Sequence, residues 1–231
     1  NNVTALLDKD LVDIFLVTDC RLDDSDARDL RTWLSTNNNT VTPFFGPTSK
    51  ATRDMTMTME YLTSSSEFEK IRSGGTLMLM QSRLSKFLQT ATTHFAAGRL
   101  LRVQLQFEQY AINLVGFYGV AGGPTQNLRN RVLFQTLADN LAHVIDMIGS
   151  QPAVALGDSN SVLHKEDRAS GKLHSYDKHK NSVAQILATN GFKDCHSLRH
   201  GSESQFTYSK GSQASRIDGI WVNEHALTVI N

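Results

Sequence analysis

The sequence predicts an α/β or α+β domain built around antiparallel-rich sheets, and three observations carry that prediction. Residues 100–107 alternate Leu101, Val103, Leu105 and Phe107 with Arg102, Gln104 and Gln106, the period of a half-buried strand. A second such run over residues 110–120 follows across Glu108-Gln109, so the two pair as a hairpin. Residues 128–148 place Val132, Leu133, Leu137, Leu141, Val144, Ile145 and Ile148 at helical spacing, the clearest amphipathic helix in the chain.

The remaining elements follow in order. Residues 12–17 (VDIFLV) read as a buried strand, and residues 23–34, acidic first and then bearing Leu30 and Leu34, as a short helix that packs Trp33. Residues 37–49 form a polar, proline-bearing loop or edge region. Residues 51–70 have no assignment beyond an edge-strand alternation of Met55, Met57 and Met59. Gly74-Gly75 introduces an apolar run over 76–80. After the long helix, Ala153-Val154-Ala155-Leu156 is a short buried strand leading straight into Gly157-Asp158-Ser159-Asn160. A polar loop covers 161–178, a helix 180–189 stops at Asn190-Gly191, and 206–208 and 217–222 read as the last strands, with Trp221 in the core. There is no internal repeat and no linker composition, so the chain reads as a single domain over 1–231.

Composition narrows the class. With 231 residues, 40% hydrophobic and 20% charged, the chain is of ordinary globular make-up, which excludes a disordered polymer. Lys+Arg and Asp+Glu both number 23. Zero net charge argues against a broad basic face for nucleic acid, leaving local phosphate contacts at Arg99, Arg102, Arg129 and Arg131. Two cysteines, Cys20 and Cys195, make no disulfide framework and favour a reducing, intracellular setting. No apolar stretch is long enough to span a bilayer and no signal peptide is visible. The chain starts without methionine just before a strong strand signal, the pattern of a domain trimmed at its ends.

The chemistry-bearing residues recur at strand ends: Asp19, Asp158 and Asp218. Carboxylates that converge on one rim are costly unless a cation or proton offsets them, and hard oxygen donors favour Mg²⁺ or Mn²⁺ over zinc. In an extended Gly157–Asn160, Asp158 and Asn160 would point the same way, one acid and one amide toward one centre; an Asx-type turn is the alternative for this tetrapeptide. In Ser215-Arg216-Ile217-Asp218-Gly219-Ile220-Trp221, alternation puts Arg216, Asp218 and Ile220 on one face, and an aspartate among strand formers calls for a His or Arg partner. His164, His174 and His179 lack paired zinc-ligand spacing. Cys195-His196 reads as packing and surface.

Taken together, these segments resemble the exonuclease–endonuclease–phosphatase superfamily, which includes apurinic endonucleases, deoxyribonuclease I-like enzymes and LINE-type retrotransposon endonuclease domains. The resemblance runs through Asp13 to Leu22, Gly74 to Met80, Tyr118-Gly119-Val120, Gly157 to Asn160 (family GDFN) and Ser215 to Trp221 (family SRIDYIW). Glu166-Asp167-Arg168 brings it nearest to the retrotransposon domains. It implies a four-layer αββα sandwich and metal-assisted attack of water on a phosphodiester, with Mg²⁺ or Mn²⁺ as cofactor, DNA as partner and a reverse transcriptase domain in the longer protein. By position, Asp19 takes the place of the metal-ligating Glu, and Tyr118 that of the tyrosine near the phosphate. Asp158 takes that of the acid that activates the nucleophile, Asn160 that of the phosphate-steadying amide, and Asp218 that of the acid that orients the catalytic His.

The pattern also departs from the family. Asp replaces Glu at 19, Ser159 replaces an aromatic, Val120 a proline and Gly219 a bulky residue. Asn1 and Asn2 stand too near Asp19 for the family's early Asn, and His225 too near Asp218 for the histidine of the family's closing SDH. Three functions are therefore in view: a metal-dependent DNA endonuclease, impaired as the chain stands; a catalytically dead remnant that keeps the fold; and a small-molecule phosphatase or lipid phosphodiesterase.

Overall fold

The computed structural model describes residues 12–22, 24–37, 41–46, 75–89, 93–96, 98–122, 124, 128–203 and 205–230. The readings placed on Asn1, Asn2 and residues 51–70 lie outside them.

Among the described residues the first sheet has three strands in the order β1 (Ile14–Thr18), β3 (Thr76–Gln81), β2 (Val41–Gly46), all antiparallel. β3 is central and buried along its whole length, which explains its unbroken apolar run. Leu77 and Leu79 point outward to Ala27, Leu30 and Leu34 of helix α1 (Asp24–Asn37), while Met78 and Met80 point inward. Trp33, expected to pack that helix, is instead 48% exposed, because it lies off the stripe formed by Ala27, Leu30 and Leu34. The region 37–49, expected as loop or edge, contributes the edge strand β2.

The second sheet has six strands in the order β4 (Thr93–Phe95), β5 (Leu100–Gln106), β6 (Ala111–Tyr118), β7 (Ala153–Asp158), β11 (Asp218–Val222), β8 (Lys193–Asp194). The β5–β6 hairpin is present in the expected place. Among the described strands only β6 and β7 pair in parallel, since helix α2 (Leu128–Ile148) connects them as a crossover. The inner faces of the two sheets meet through Leu101, Val103, Leu105, Leu114, Met78 and Met80. Gly116 permits this close approach: a Cβ there would come within 2.6 Å of Leu16 Cδ1. On the outer face, Val115, Phe117, Ala155 and Trp221 pack against Leu137, Leu141 and Val144 of α2 and Ile186 and Leu187 of α3 (Val183–Thr189). The layers are thus helix, sheet, sheet, helix.

Three details differ from the sequence expectation. The helix predicted over 180–189 begins at Val183, because Ser182 caps it by accepting from the Gln185 N–H. The strand predicted over 206–208 is displaced: β9 (Tyr208–Lys210) pairs with β10 (Gln213–Ser215) as a separate hairpin. Two short helices were not foreseen, α4 (Cys195–His200), capped by Asp194, and α5 (Glu224–Ile230). No helix among the described residues is long and apolar enough to cross a membrane.

Candidate active site

The parallel β6–β7 pair and the antiparallel β7–β11 pair end side by side. Their register sets Tyr118 opposite Asp158 and Asp158 opposite Asp218. Asp19 follows the last residue of β1 on the facing sheet, and its charge acts on both Tyr118 and Asp158. The structure thereby brings Asp19, Tyr118, Asp158, Asn160 and Asp218 to one rim.

The Gly157–Asn160 segment does not continue extended. Asn160 has a left-handed backbone (φ 49°), and its N–H donates to Asp158 Oδ1 at 2.7 Å. This is an Asx-type turn. It replaces the shared pointing expected of an extended strand, yet it still keeps the acid and the amide together. Asn160 Nδ2 donates to the Gly119 carbonyl at 3.2 Å, and the Gly119 N–H donates to the Asp158 carbonyl at 2.6 Å. Gly119 has no alternative here, since a Cβ would collide with the Ser159 carbonyl. Ser159, where the family has an aromatic, turns inward and donates to the Ile217 carbonyl at 2.8 Å.

Electrostatics distinguish Asp158. Burial pushes its carboxyl up to about 7, the neighbouring Asp218 and Asp19 push the same way, and the Asn160 N–H and Arg99 oppose them. The Tyr118 hydroxyl is also raised, first by burial and then by Asp19, so it stays protonated as a donor. Arg99 was foreseen only as a surface phosphate contact. It is 6% exposed, lies 4.5 Å over the Tyr118 ring, and donates to the Gly119 carbonyl at 2.9 Å. Arg102, foreseen in the same role, binds Asn113 Oδ1 on the sheet face at 2.8 and 3.0 Å, and burial lowers its pKa.

Asp218 has neither of the partners expected for it. Its side chain is exposed, and among the described residues none hydrogen-bonds its carboxylate. Arg216, expected on the same strand face, precedes β11 and turns into the protein. There its guanidinium meets Asp167 at 2.9 Å and Asp194 at 2.6 Å, all three side chains being under 10% exposed. Thr207 supports the Asp218 backbone instead, its Oγ accepting the Ile217 and Asp218 N–H groups at 3.1 Å. His225 sits exposed on α5, beyond the far end of β11. The loop 161–182 is built on Asp177, fully buried, which accepts from Arg168, from the Val162 N–H and from the His174 N–H. His174 stacks on Tyr176, and His179 meets the edge of Phe134.

No protein-family model and no curated protein sequence matches the chain. Solved structures do. A 3′-5′ exonuclease from Neisseria meningitidis, NExo, superposes with a TM-score of 0.64 at 16% identity, over 96% of this chain and 80% of that one. An AP endonuclease from Archaeoglobus fulgidus gives 0.56 at 17% identity, over 96% and 80%. The endonuclease domain of TRAS1, a telomere-specific non-LTR retrotransposon, gives 0.53 at 13% identity, over 97% and 81%. The chain has the exonuclease–endonuclease–phosphatase fold.

Within this fold the rim's donor set can be tested for a cation. Asp19, Asp158 and Asp218 offer hard carboxylate oxygens, and the charges of Asp218 and Asp19 add to the burial that raises the Asp158 carboxyl. Among the described residues no three acids, histidines or cysteines stand together in a group that could hold a metal ion by themselves. The chemistry fits Mg²⁺ or Mn²⁺ held by one or two carboxylates, with water and phosphate completing the shell.

Proposed function

We propose that this chain is a divalent-metal-dependent phosphodiesterase acting on DNA, of the retrotransposon-endonuclease type. The observation that carries the reading is the Asp158–Asp218 pair beside Tyr118, with the Asp158 carboxyl poised at about 7. Asp158 would hold and deprotonate the attacking water, a role that calls for a pKa near the working pH. Asn160 and the Tyr118 hydroxyl would donate to phosphoryl oxygens as charge develops on them. Asp218, exposed beside Asp158, holds the position of an imidazole-orienting acid, though no histidine among the described residues hydrogen-bonds it. Asp19 would be a metal ligand, and a bound Mg²⁺ or Mn²⁺ would supply charge neutralisation at the phosphoryl oxygens. DNA as substrate is supported by NExo, described as a 3′ phosphatase in a structure bound to product DNA hairpin. The retrotransposon type is supported by the likeness to the TRAS1 domain and by Glu166-Asp167-Arg168; a reverse transcriptase would then be the associated domain.

One observation favours a second reading, a non-catalytic chain that keeps the fold. The carboxylate of Asp19 is held by Arg21 at 2.7 Å. A plasmid-nicking assay with Mg²⁺ or Mn²⁺, against a chelator control, separates the two. Metal-dependent nicking that falls at least about 100-fold in Asp158→Asn supports the enzyme. No nicking by the parent chain supports the second reading.

A further inference from the structure

After β1 the backbone enters the left-handed region twice, at Asp19 (φ 53°) and at Arg21 (φ 54°). Such values are uncommon for residues carrying a Cβ. The double turn folds Arg21 back on Asp19. Both Nε and Nη2 of its guanidinium donate to the same Asp19 oxygen, Oδ2, at 3.0 and 2.7 Å. The arginine side chain is 61% exposed and the aspartate 26%. Tyr118 feels the pair as well, Asp19 raising its pKa and Arg21 lowering it. The guanidinium is therefore a positive charge already present at the rim.

We infer that Arg21 is an internal counter-cation that competes with a divalent metal for Asp19 and so sets the metal affinity of the rim. The inference rests on the proposed role of Asp19 as a ligand. An oxygen that accepts two N–H bonds must give up at least one to ligate Mg²⁺ at about 2.0–2.1 Å. The guanidinium is charged at every working pH, and its bonds to Asp19 hold it more firmly so. It therefore occupies Oδ2 and repels an ion approaching either carboxylate oxygen. Because the pair is solvent-exposed, the clasp is weak and screened by salt. It tunes metal occupancy and does not abolish it.

The test is Mn²⁺ binding to the whole chain, followed by the loss of the electron paramagnetic resonance signal of free Mn²⁺ at low ionic strength. Arg21→Ala and Arg21→Gln should each bind about 3- to 10-fold more tightly than the parent, the range expected when an exposed ion pair and a nearby like charge are removed. Adding Asp19→Asn to Arg21→Gln should cancel the gain. Circular dichroism melts check that all variants are folded. An unchanged or weaker affinity in both Arg21 variants, a gain that survives Asp19→Asn, or no Mn²⁺ binding by any variant would overturn the inference. Nicking is read separately: if it persists with unchanged Mn²⁺ affinity, only this inference falls, whereas absent nicking with tighter binding in Arg21→Gln removes the enzymatic reading alone.

Discussion

Asp158 and Asp218 stand directly opposite each other across the antiparallel β7–β11 pair. Opposed side chains on such a pair lie about 4.5–5.5 Å apart at Cβ, and like charges there repel. Asp158 is the more buried partner, and burial first, with the charge of Asp218 adding to it, raises its carboxyl from 3.8 to about 7.

That shift makes stability depend on pH in a definite direction. Between about pH 4 and pH 7 the folded protein holds a proton on Asp158 that the unfolded chain has already lost. Stability contributed by this group is therefore fully present below its unfolded pKa and is lost as pH rises through 7. Asp158→Asn has no such titration. Its stability relative to the parent should increase by about 1–3 kcal/mol between pH 5 and pH 8, after allowance for partial solvation. Urea unfolding at the two pH values checks this; parallel pH profiles would show that Asp158 titrates normally.

The same crowding predicts stabilisation by metal. A cation that binds the folded rim raises stability by about 1.4 kcal/mol at ten times its dissociation constant. Thermal melts with Mn²⁺ should therefore shift upward in the parent and shift little in an Asp19→Asn/Asp158→Asn double variant. Equal shifts in both proteins would place the bound metal elsewhere.

Much of this architecture is legible in the sequence, because burial writes a period into the chain. The alternation of β5, the apolar run of β3, whose two faces are both covered, and the stripe of α2 each mark their element directly. Elements with little burial leave no such mark. β9 is exposed at every residue, so nothing fixed its position, and α4 and α5 have six and seven residues, too few to show a period. At the site, the carboxylates read at or near strand ends come to one rim, since strand ends are local features. The partners are not local. Arg216 binds Asp167 and Asp194, 49 and 22 residues away, and no alternation rule foretells that. Arg99 is likewise brought to Tyr118 by the β5–β6 register and not by any motif. The left-handed turn at Asn160 depends on packing against Gly119.

Arg216 supplies the next prediction. It is a buried cation between two buried carboxylates, and its removal would leave both acids without a counter-charge. Breaking a buried pair in this way costs about 3–5 kcal/mol. Arg216→Ala should be destabilised by that order in denaturant melts. Arg83→Ala, which removes an exposed pair with Asp13, should cost no more than about 1 kcal/mol. A small effect at Arg216 would mean that water reaches Asp167 and Asp194 in the folded protein.

Gly119 tests whether the rim depends on backbone contact as well as on side chains. Its N–H donates to the Asp158 carbonyl, and its own carbonyl accepts from Arg99 and Asn160. A methyl group at this position meets Ser159 backbone atoms, which cannot rotate away as a flexible side chain would. Gly119→Ala must therefore push the end of β6 from the turn after β7, separating Tyr118 from Asp158 and loosening Asn160. Such overpacking costs typically about 1–3 kcal/mol. Misplacing positioned groups by about 1 Å can cost about 100-fold in rate, so nicking should fall by at least 10-fold under conditions where the variant remains folded. Gly171→Ala is the matched control. Its φ of 62° also disfavours alanine, but the site around it is open, so it should lose about 1 kcal/mol and no activity. If the two alanine variants nicked DNA equally well, the Gly119 contact would have no part in arranging Asp158 and Tyr118.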